Sequence, residues 1–249
     1  LTRNQVLNLP GTTGISEFDQ LNRVTSELIS KVTKAYYQQK QFVENASHEM
    51  QTPLAIIRSK MELLINKPNL TEKEAVLLND ITEANERLSQ MNRTLLLLAK
   101  IENNQFPELD EINITLMLQN LLNNFKDHYE HSIPEIKEHI KKDIIIRANR
   151  SLIEILVSNL LKNAIEHNIT GGFIQINLDN SILSIENSGM PIEGHPEVLF
   201  DRFKKGSYQT KTTGLGLALV KQICQLYHYS LNYTYGNGIH LITIHFAEK

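Results

Sequence analysis

Phe42-Val-Glu-Asn-Ala-Ser-His48-Glu-Met-Gln-Thr52-Pro-Leu-Ala-Ile-Ile57 is the stretch from which the rest of the chain is read. Val43, Ala46, Met50, Leu54, Ile57, Met61 and Leu64 recur at steps of three and four, the spacing of one apolar stripe along a helix. At about 100° per residue, His48 points roughly 160° away from the mean direction of that stripe. Thr52, four residues on, shares its outer face. The segment therefore presents an imidazole, a neighbouring carboxylate (Glu49) and a hydroxyl on one surface. Pro53 sits inside this helical pattern, where it removes a backbone hydrogen bond.

N-terminal to this segment, Leu21, Leu28, Ala35 and Phe42 recur every seven residues, and Val24, Val32 and Ala46 fill the alternate seam. That heptad predicts a coiled-coil helix from Ser16 running directly into the His48 segment. The breaker cluster Pro10-Gly11-Thr12-Thr13-Gly14 precedes it, so residues 1–15 read as irregular. On the C-terminal side, Pro68 stops the helix and Thr71 and Glu74 form a T-x-x-E capping box for the next one. There, Leu77, Ile81, Ala84, Leu88, Met91, Leu95 and Leu98 step 4-3-4-3-4-3 without a break. Two such helices joined by a short loop make an antiparallel hairpin. Pairing two hairpins in a four-helix bundle covers the seam that one alone leaves wet, which predicts a homodimer.

Beyond a linker at 104–111 the pattern changes. Short strands are expected over Ile112–Ile114, Lys142–Arg147, Gly172–Leu178, Ser181–Ile185, Tyr229–Tyr235 and Ile239–Phe246. Helices are expected over Leu116–His131, Ser151–Asn168 and Gly214–Leu226. Their alternation predicts an α/β sandwich of one mixed sheet under about three helices. The fold class is thus a helical-hairpin dimerisation domain followed by an α/β sandwich.

Composition narrows the function. The chain has 249 residues and a net charge of −3, and no basic run that would serve a nucleic-acid surface. Its single cysteine, Cys224, lies among apolar residues and excludes an intrachain disulfide. No apolar run approaches the roughly 18 residues a membrane span needs, so membrane contact is expected only through segments outside this chain.

The quoted stretch, H-E-M-Q-T-P-L, resembles the phosphoacceptor box of sensor histidine kinases. Further boxes follow in that family's order. N-L-L-K-N-A (Asn159–Ala164) places two amides four residues apart on one helix face and resembles the N-box of the ATP-binding fold shared with gyrase-type ATPases and Hsp90-like chaperones. I-E-N-S-G-M-P-I (Ile185–Ile192) resembles the first glycine box, with Asn187 in place of the usual aspartate, Gly189 kept and Pro191 replacing the second glycine. Leu199–Phe203 resembles the aromatic F-box, and T-G-L-G-L-A-L-V (Thr213–Val220) the later glycine box at a helix start. The family's last glycine motif is not clearly present near Gly236 and Gly238.

The resemblance implies a division into a signalling helix (16–41), a dimerisation and histidine-phosphotransfer hairpin (42–103) and a catalytic ATP-binding domain (112–249). It implies an ATP-dependent protein-histidine kinase in the cytoplasmic portion of a sensor, autophosphorylating His48 with Glu49 as general base and Thr52 positioning water for the phosphatase reaction. The phosphoryl group then passes to an aspartate of a response regulator. ATP is expected at Asn159, Lys162, Asn163, His167, Asn187, Gly189, Arg202, Phe203, Lys204, Thr213, Gly214, Leu215, Gly216 and Leu217, with Mg²⁺ on Asn163. His167 stands where the family often has a tyrosine against the adenine, and Lys204, Lys205 and Lys211 bring positive charge to the Arg202–Gly216 lid. Glu166 occupies a position that is usually Lys or Arg, so either Lys162 or a lid lysine substitutes, or ATP affinity is lower. A degenerate scaffold that binds partners without kinase activity, and a chaperone-like ATPase, are the alternatives. The ATPase has no use for H-E-x-x-T-P on a dimer helix.

Overall fold

The structure is a computed structural model that describes residues 14–67, 70–128, 134–192, 194–204 and 213–246, with the side chains of Val43, Glu44, Ser47, His48 and His128 also left out. Pro68, most of the N-terminal breaker cluster, and Lys205 and Lys211 of the lid lie outside the described residues. Two compact units are distinguished, Leu1–Glu49 and Met50–Lys249.

The first unit is helical. Helix α1 (Ser16–Ile65) begins at Ser16 and continues through the end of this unit without interruption. The heptad residues stay in solvent along the single chain: Leu21, Leu28, Val32 and Phe42 are all exposed. These residues form an apolar seam that faces solvent along the helix.

In the second unit, α1 carries Pro53 and ends at Ile65. Helix α2 (Glu72–Glu102) starts at the expected box: Thr71 accepts from the Glu74 N–H, and the Glu74 carboxylate accepts from the Thr71 N–H at 2.9 Å. This reciprocal pair satisfies two of the N–H groups that a helix start leaves open. The two helices of the hairpin meet through a polar seam. Asn85 donates from Nδ2 to the Leu54 carbonyl at 3.3 Å, and the Thr82 hydroxyl approaches the Met61 sulfur at 3.7 Å. The apolar heptad lies elsewhere, with Leu77, Ile81 and Leu88 exposed.

Further along, α2 changes role. Leu98 and Ile101, each 1% exposed, enter the core of the α/β domain and pack toward α5. The rest of that domain is β1 (Asp110–Asn113), α3 (Ile114–His128), β2 (Glu135–Ile140), β3 (Ile145–Ala148), α4 (Arg150–Glu166), β4 (Phe173–Asp179), β5 (Ile182–Ser188), a 3-10 turn (Pro196–Phe200), α5 (Gly216–Leu226), β6 (Ser230–Gly236) and β7 (Ile239–His245).

One mixed sheet was expected; there are two. A five-stranded sheet runs β2-β4-β5-β7-β6, with β2 parallel to β4 and the other pairs antiparallel. A separate two-stranded antiparallel sheet pairs β1 with β3. Strand β2 has no counterpart in the sequence expectation. It is an edge strand of sequence E-I-K-E-H-I, half-burying only Ile136 and Ile140, so its alternation is too weak to read. The strand expected at Lys142–Arg147 starts three residues later, and the helix expected from Leu116 begins at Ile114. Core-facing rows are regular: Ile174, Ile176 and Leu178 on β4, Leu183 and Ile185 on β5, Ile242 and Ile244 on β7. They pack under α3, α4 and α5, where Leu118, Leu156, Leu160, Leu219 and Ile223 are buried.

The contrast along α2 gives a test. Replacing Leu98 with Ala removes buried methyl groups from a filled core and should destabilise the α/β domain by about 3 kcal/mol in urea unfolding. The same change at exposed Leu88 should leave the α/β unfolding transition within about 0.5 kcal/mol of its original value.

Candidate nucleotide site

Three elements converge beside the sheet: the solvent side of α4, the turn that follows β5, and the start of α5. Asn149 caps α4 by accepting the Leu152 N–H, and the helix carries Asn159 with Lys162 and Asn163 one turn further on. Asn159 donates from Nδ2 to the carbonyl of Ile155 at 2.7 Å, which turns Oδ1 outward toward α5. There, a Cβ on Gly216 would stand 2.7 Å from Asn159 Oδ1, so only a glycine lets the two helices approach this closely. Gly216 is the first residue of α5, its helix preceded by buried Leu215, with Thr213, Gly214 and Leu217 part-buried around it. Its opening N–H groups and helix dipole form a surface suited to an anion.

The Asn163 carboxamide makes no hydrogen bond among the described residues, in contrast to Asn159. Lys162 pairs with Glu166 at 3.6 Å, both partly exposed, so the carboxylate at the unusual position holds the nearest α4 cation. His167 forms the C-cap of α4. Its pKa is lowered, chiefly by burial, with the Glu166 charge opposing.

The turn after β5 is reached next. Asn187 is 4% exposed and lies in the core-facing row of β5, in line with Leu183 and Ile185. It donates from Nδ2 to the Ser188 carbonyl at 2.8 Å, leaving Oδ1 as its acceptor. Gly189 donates to the Gly238 carbonyl at 3.0 Å, joining this turn to the β6–β7 hairpin. A Cβ on Gly189 would fall 2.3 Å from His240 Cδ2 and 3.0 Å from the His167 carbonyl oxygen. The end of α4, the Asn187 turn and β7 are thereby in direct contact.

His240 and Tyr233 were not singled out from the sequence. His240 lies opposite Asn187 in the β5–β7 register and is 5% exposed. One ring nitrogen meets the Tyr233 hydroxyl at 3.0 Å and the other the Met190 carbonyl at 3.0 Å. Its pKa is lowered by burial first and by His167 in addition, while the Met190 carbonyl raises it. Burial also pushes the Tyr233 hydroxyl up to about 12.

The lid residues are placed differently. Phe200, not Phe203, is the aromatic anchor: it is buried and meets Tyr233 edge-on at 5.9 Å, whereas Phe203 is half in solvent with φ +64°. Phe203 donates to the Gly214 carbonyl at 2.9 Å, closing the base of the lid. Arg202 does not face α4; it pairs with Glu102 at the end of α2. Lys204 is exposed. On α1, Glu49 and Thr52 are exposed, and the His48 side chain lies outside the described residues although its backbone is helical. Among the described residues no cluster of three or more His, Cys, Asp or Glu is placed to hold a metal. No described helix is long and apolar enough to cross a membrane.

Comparison with known proteins places these elements. Residues 38–104 match the His Kinase A (phospho-acceptor) domain, and residues 148–248 match the family of histidine kinase-, DNA gyrase B- and HSP90-like ATPases. Heme sensor protein HssS of Staphylococcus aureus is 34% identical over 204 residues, covering 79% of this chain. The chain spans 44% of the length of that relative. The fold also matches Acinetobacter baumannii histidine kinase AdeS (TM-score 0.53, 24% identity, 80% of this chain and 97% of that one). It matches full-length ShkA in complex with AMPPNP as well (TM-score 0.62, 18% identity, 84% of this chain and 47% of that one).

The buried His240 ring and the part-buried His167 ring give a pH dependence. Both prefer the neutral form in the folded state, so below their ordinary value of 6.5 the unfolded chain takes up protons that the folded one refuses. Stability from this source is complete above that value and is lost as pH falls toward the lowered folded values. The urea midpoint of the α/β domain should therefore decline as pH drops from about 7 to about 5.5, before carboxylates titrate. In His167→Gln the decline should be shallower.

Proposed function

Since the chain belongs to the sensor histidine kinases, we propose that it is the cytoplasmic core of such a sensor, which phosphorylates His48 from ATP and passes the phosphoryl group to an aspartate of a response regulator. The observation that carries this reading is the close approach of Asn159 to Gly216 and of His167 to Gly189, which brings residues of the family's boxes next to one another. In the domain plan that goes with it, 16–41 transmits the signal, 42–103 dimerises and accepts the phosphoryl group, 104–111 links, and 112–249 binds nucleotide.

Adenine is read by Asn187 through its carbonyl oxygen, with His167 alongside and Gly189 leaving room. The phosphates lie toward Thr213–Leu217, where the α5 N-terminus and Lys204 supply positive potential. Arg202 and Phe203 contribute from the lid base, and Arg202 must leave Glu102 to do so. Asn163, whose carboxamide is uncommitted, fits a Mg²⁺ ion by donor type, because a hard cation takes an amide oxygen. With no carboxylate cluster beside it, that ion would draw its remaining ligands from phosphate and water. Bound there, Mg²⁺ supplies charge neutralisation on the phosphates.

The neutral imidazole of His48 attacks the γ-phosphorus, the bond to the bridging oxygen breaks, and ADP leaves. A neutral imidazole supplies the lone pair that the attack requires. Glu49 accepts the proton from the other ring nitrogen. Thr52 orients water for the reverse reaction on the phosphorylated regulator. Exposed Ile57 and Leu64 of α1 and exposed Leu77, Ile81 and Leu88 of α2 support pairing of two hairpins into a homodimeric four-helix bundle.

The test is incubation with γ-labelled ATP and Mg²⁺. Wild type should acquire acid-labile, base-stable label, and His48→Gln none. Asn163→Ala should cut the labelling rate by on the order of 100-fold, since it removes the one protein oxygen assigned to the metal. ATP turnover without labelled protein would favour the chaperone-like reading, and a chain that binds no nucleotide would be a scaffold.

A further inference from the structure

His240 stands where a core-facing strand position ordinarily holds an apolar side chain. The same row of β7 continues with Ile242 and Ile244, both buried. A buried imidazole costs desolvation unless both nitrogens are engaged, and here both are. A carbonyl oxygen only accepts, so the nitrogen facing Met190, Nε2, carries the proton. In the neutral ring Nδ1 is then the acceptor, and the Tyr233 hydroxyl donates to it. The tautomer is thus set by two fixed partners. Tyr235 stacks against the ring with centroids 4.6 Å apart.

What this ring holds is the turn after β5. It fills the space beside Gly189 and ties down the Met190 carbonyl. The intervening Ser188–Gly189 peptide is fixed at both ends: its N–H donates to Gly238, and its carbonyl accepts from Asn187 Nδ2. The direction of that carbonyl decides which end of the Asn187 carboxamide faces out. An asparagine, unlike an aspartate, has a donor end and an acceptor end, and a rotation of 180° exchanges them. We propose that His240 is a positioning residue that locks the Asn187 carboxamide with its oxygen outward, so that the site selects a purine bearing an exocyclic amino group over one bearing a 6-oxo group.

This rests on the reading of Asn187 as the base contact given above. The lock acts through the peptide rather than by touching nucleotide. When it is absent, Asn187 turns to present its NH₂ to a 6-oxo purine, and discrimination falls while the phosphate contacts stay unchanged.

The experiment compares ATP with inosine triphosphate on the full chain, by calorimetry and by autophosphorylation kinetics. Wild type should bind ATP more than about 10-fold tighter than inosine triphosphate. His240→Leu, which keeps the volume buried, should reduce that ratio to within about 3-fold and raise KM for ATP, with kcat within about 2-fold. His240→Gln, whose carboxamide can donate to Met190 and accept from Tyr233, should recover most of the ratio. Tyr233→Phe keeps the ring and removes the hydroxyl that fixes its tautomer, so it should give an intermediate ratio. It serves as the deciding variant if His240→Leu does not fold. Nitrogen NMR of the wild-type ring should show the Nε2-protonated form. The inference is overturned if the folded variants keep the wild-type ratio, if both nucleotides weaken equally, if glutamine fails as badly as leucine, or if the ring carries its proton on Nδ1. A wild type that binds ATP but does not discriminate also overturns it. A wild type that binds neither nucleotide instead removes the underlying reading of the site.

Discussion

The α/β domain depends on two places where backbone meets a neighbour with no room for a side chain. At Gly216 the first turn of α5 lies against Asn159 of α4, and at Gly189 the turn after β5 lies between the end of α4 and the His240 ring. A methyl group at either would stand 2.7 Å or less from its nearest neighbour. The clash at Gly216 is with the oxygen of a carboxamide whose Nδ2 donates back to its own helix, and at Gly189 with a ring held at both nitrogens. Neither can swing aside without breaking a hydrogen bond. The approach distances of three elements are consequences of these two missing side chains.

The hairpin inverts the usual arrangement. Its inner seam is polar, with Asn85 and Asn92 buried and one amide atom of each lacking a partner. Its outer seam is apolar and wet. Buried amides of this kind contribute little net stability, because each unmade hydrogen bond offsets much of what the others supply. Buried Met61 is the apolar contribution inside the hairpin, while the outer seam leaves a broad apolar area in water. At the far end of α2 the same helix needs no partner chain, since Leu98 and Ile101 are covered by the α/β domain itself. One helix thus carries a solvent-facing apolar seam at one end and part of the α/β core at the other.

Much of this was legible in residue order. The 4-3 steps of α2 gave the heptad, Thr71 and Glu74 its start, and the strong alternation of β4, β5 and β7 the middle of the sheet. What could not be read had a weak local signal or a distant cause. Strand β2 exposes four of its six residues and takes its place by pairing with β4, 38 positions later in register (Glu135 with Phe173). His240 could have been noticed as an imidazole in an otherwise apolar row, but its partner Met190 is 50 residues away in sequence. The F-box motif contained two phenylalanines three apart, and only burial distinguishes Phe200 as the anchor from exposed Phe203. For Arg202 the sequence offered a phosphate, whereas its partner in this arrangement is Glu102, 100 residues upstream.

That last pair has a consequence for how the domain works. Glu102 closes α2, and Arg202 opens the segment leading to the lid, so the ion pair ties the lid base to the end of the hairpin helix. Both partners are exposed by about two-fifths, where solvent screens an ion pair to well under a few kcal/mol. A guanidinium exchanges one exposed anionic partner for another at little cost, because its planar fork fits any bidentate acceptor. Ile101, the residue before Glu102, and Leu98, one turn back on α2, are buried and do not exchange partners so cheaply. The hydrophobic part of the junction is the lasting one and the ionic part the exchangeable one. The ion pair can therefore part without undocking the domain, provided the buried leucine and isoleucine keep their places in the core.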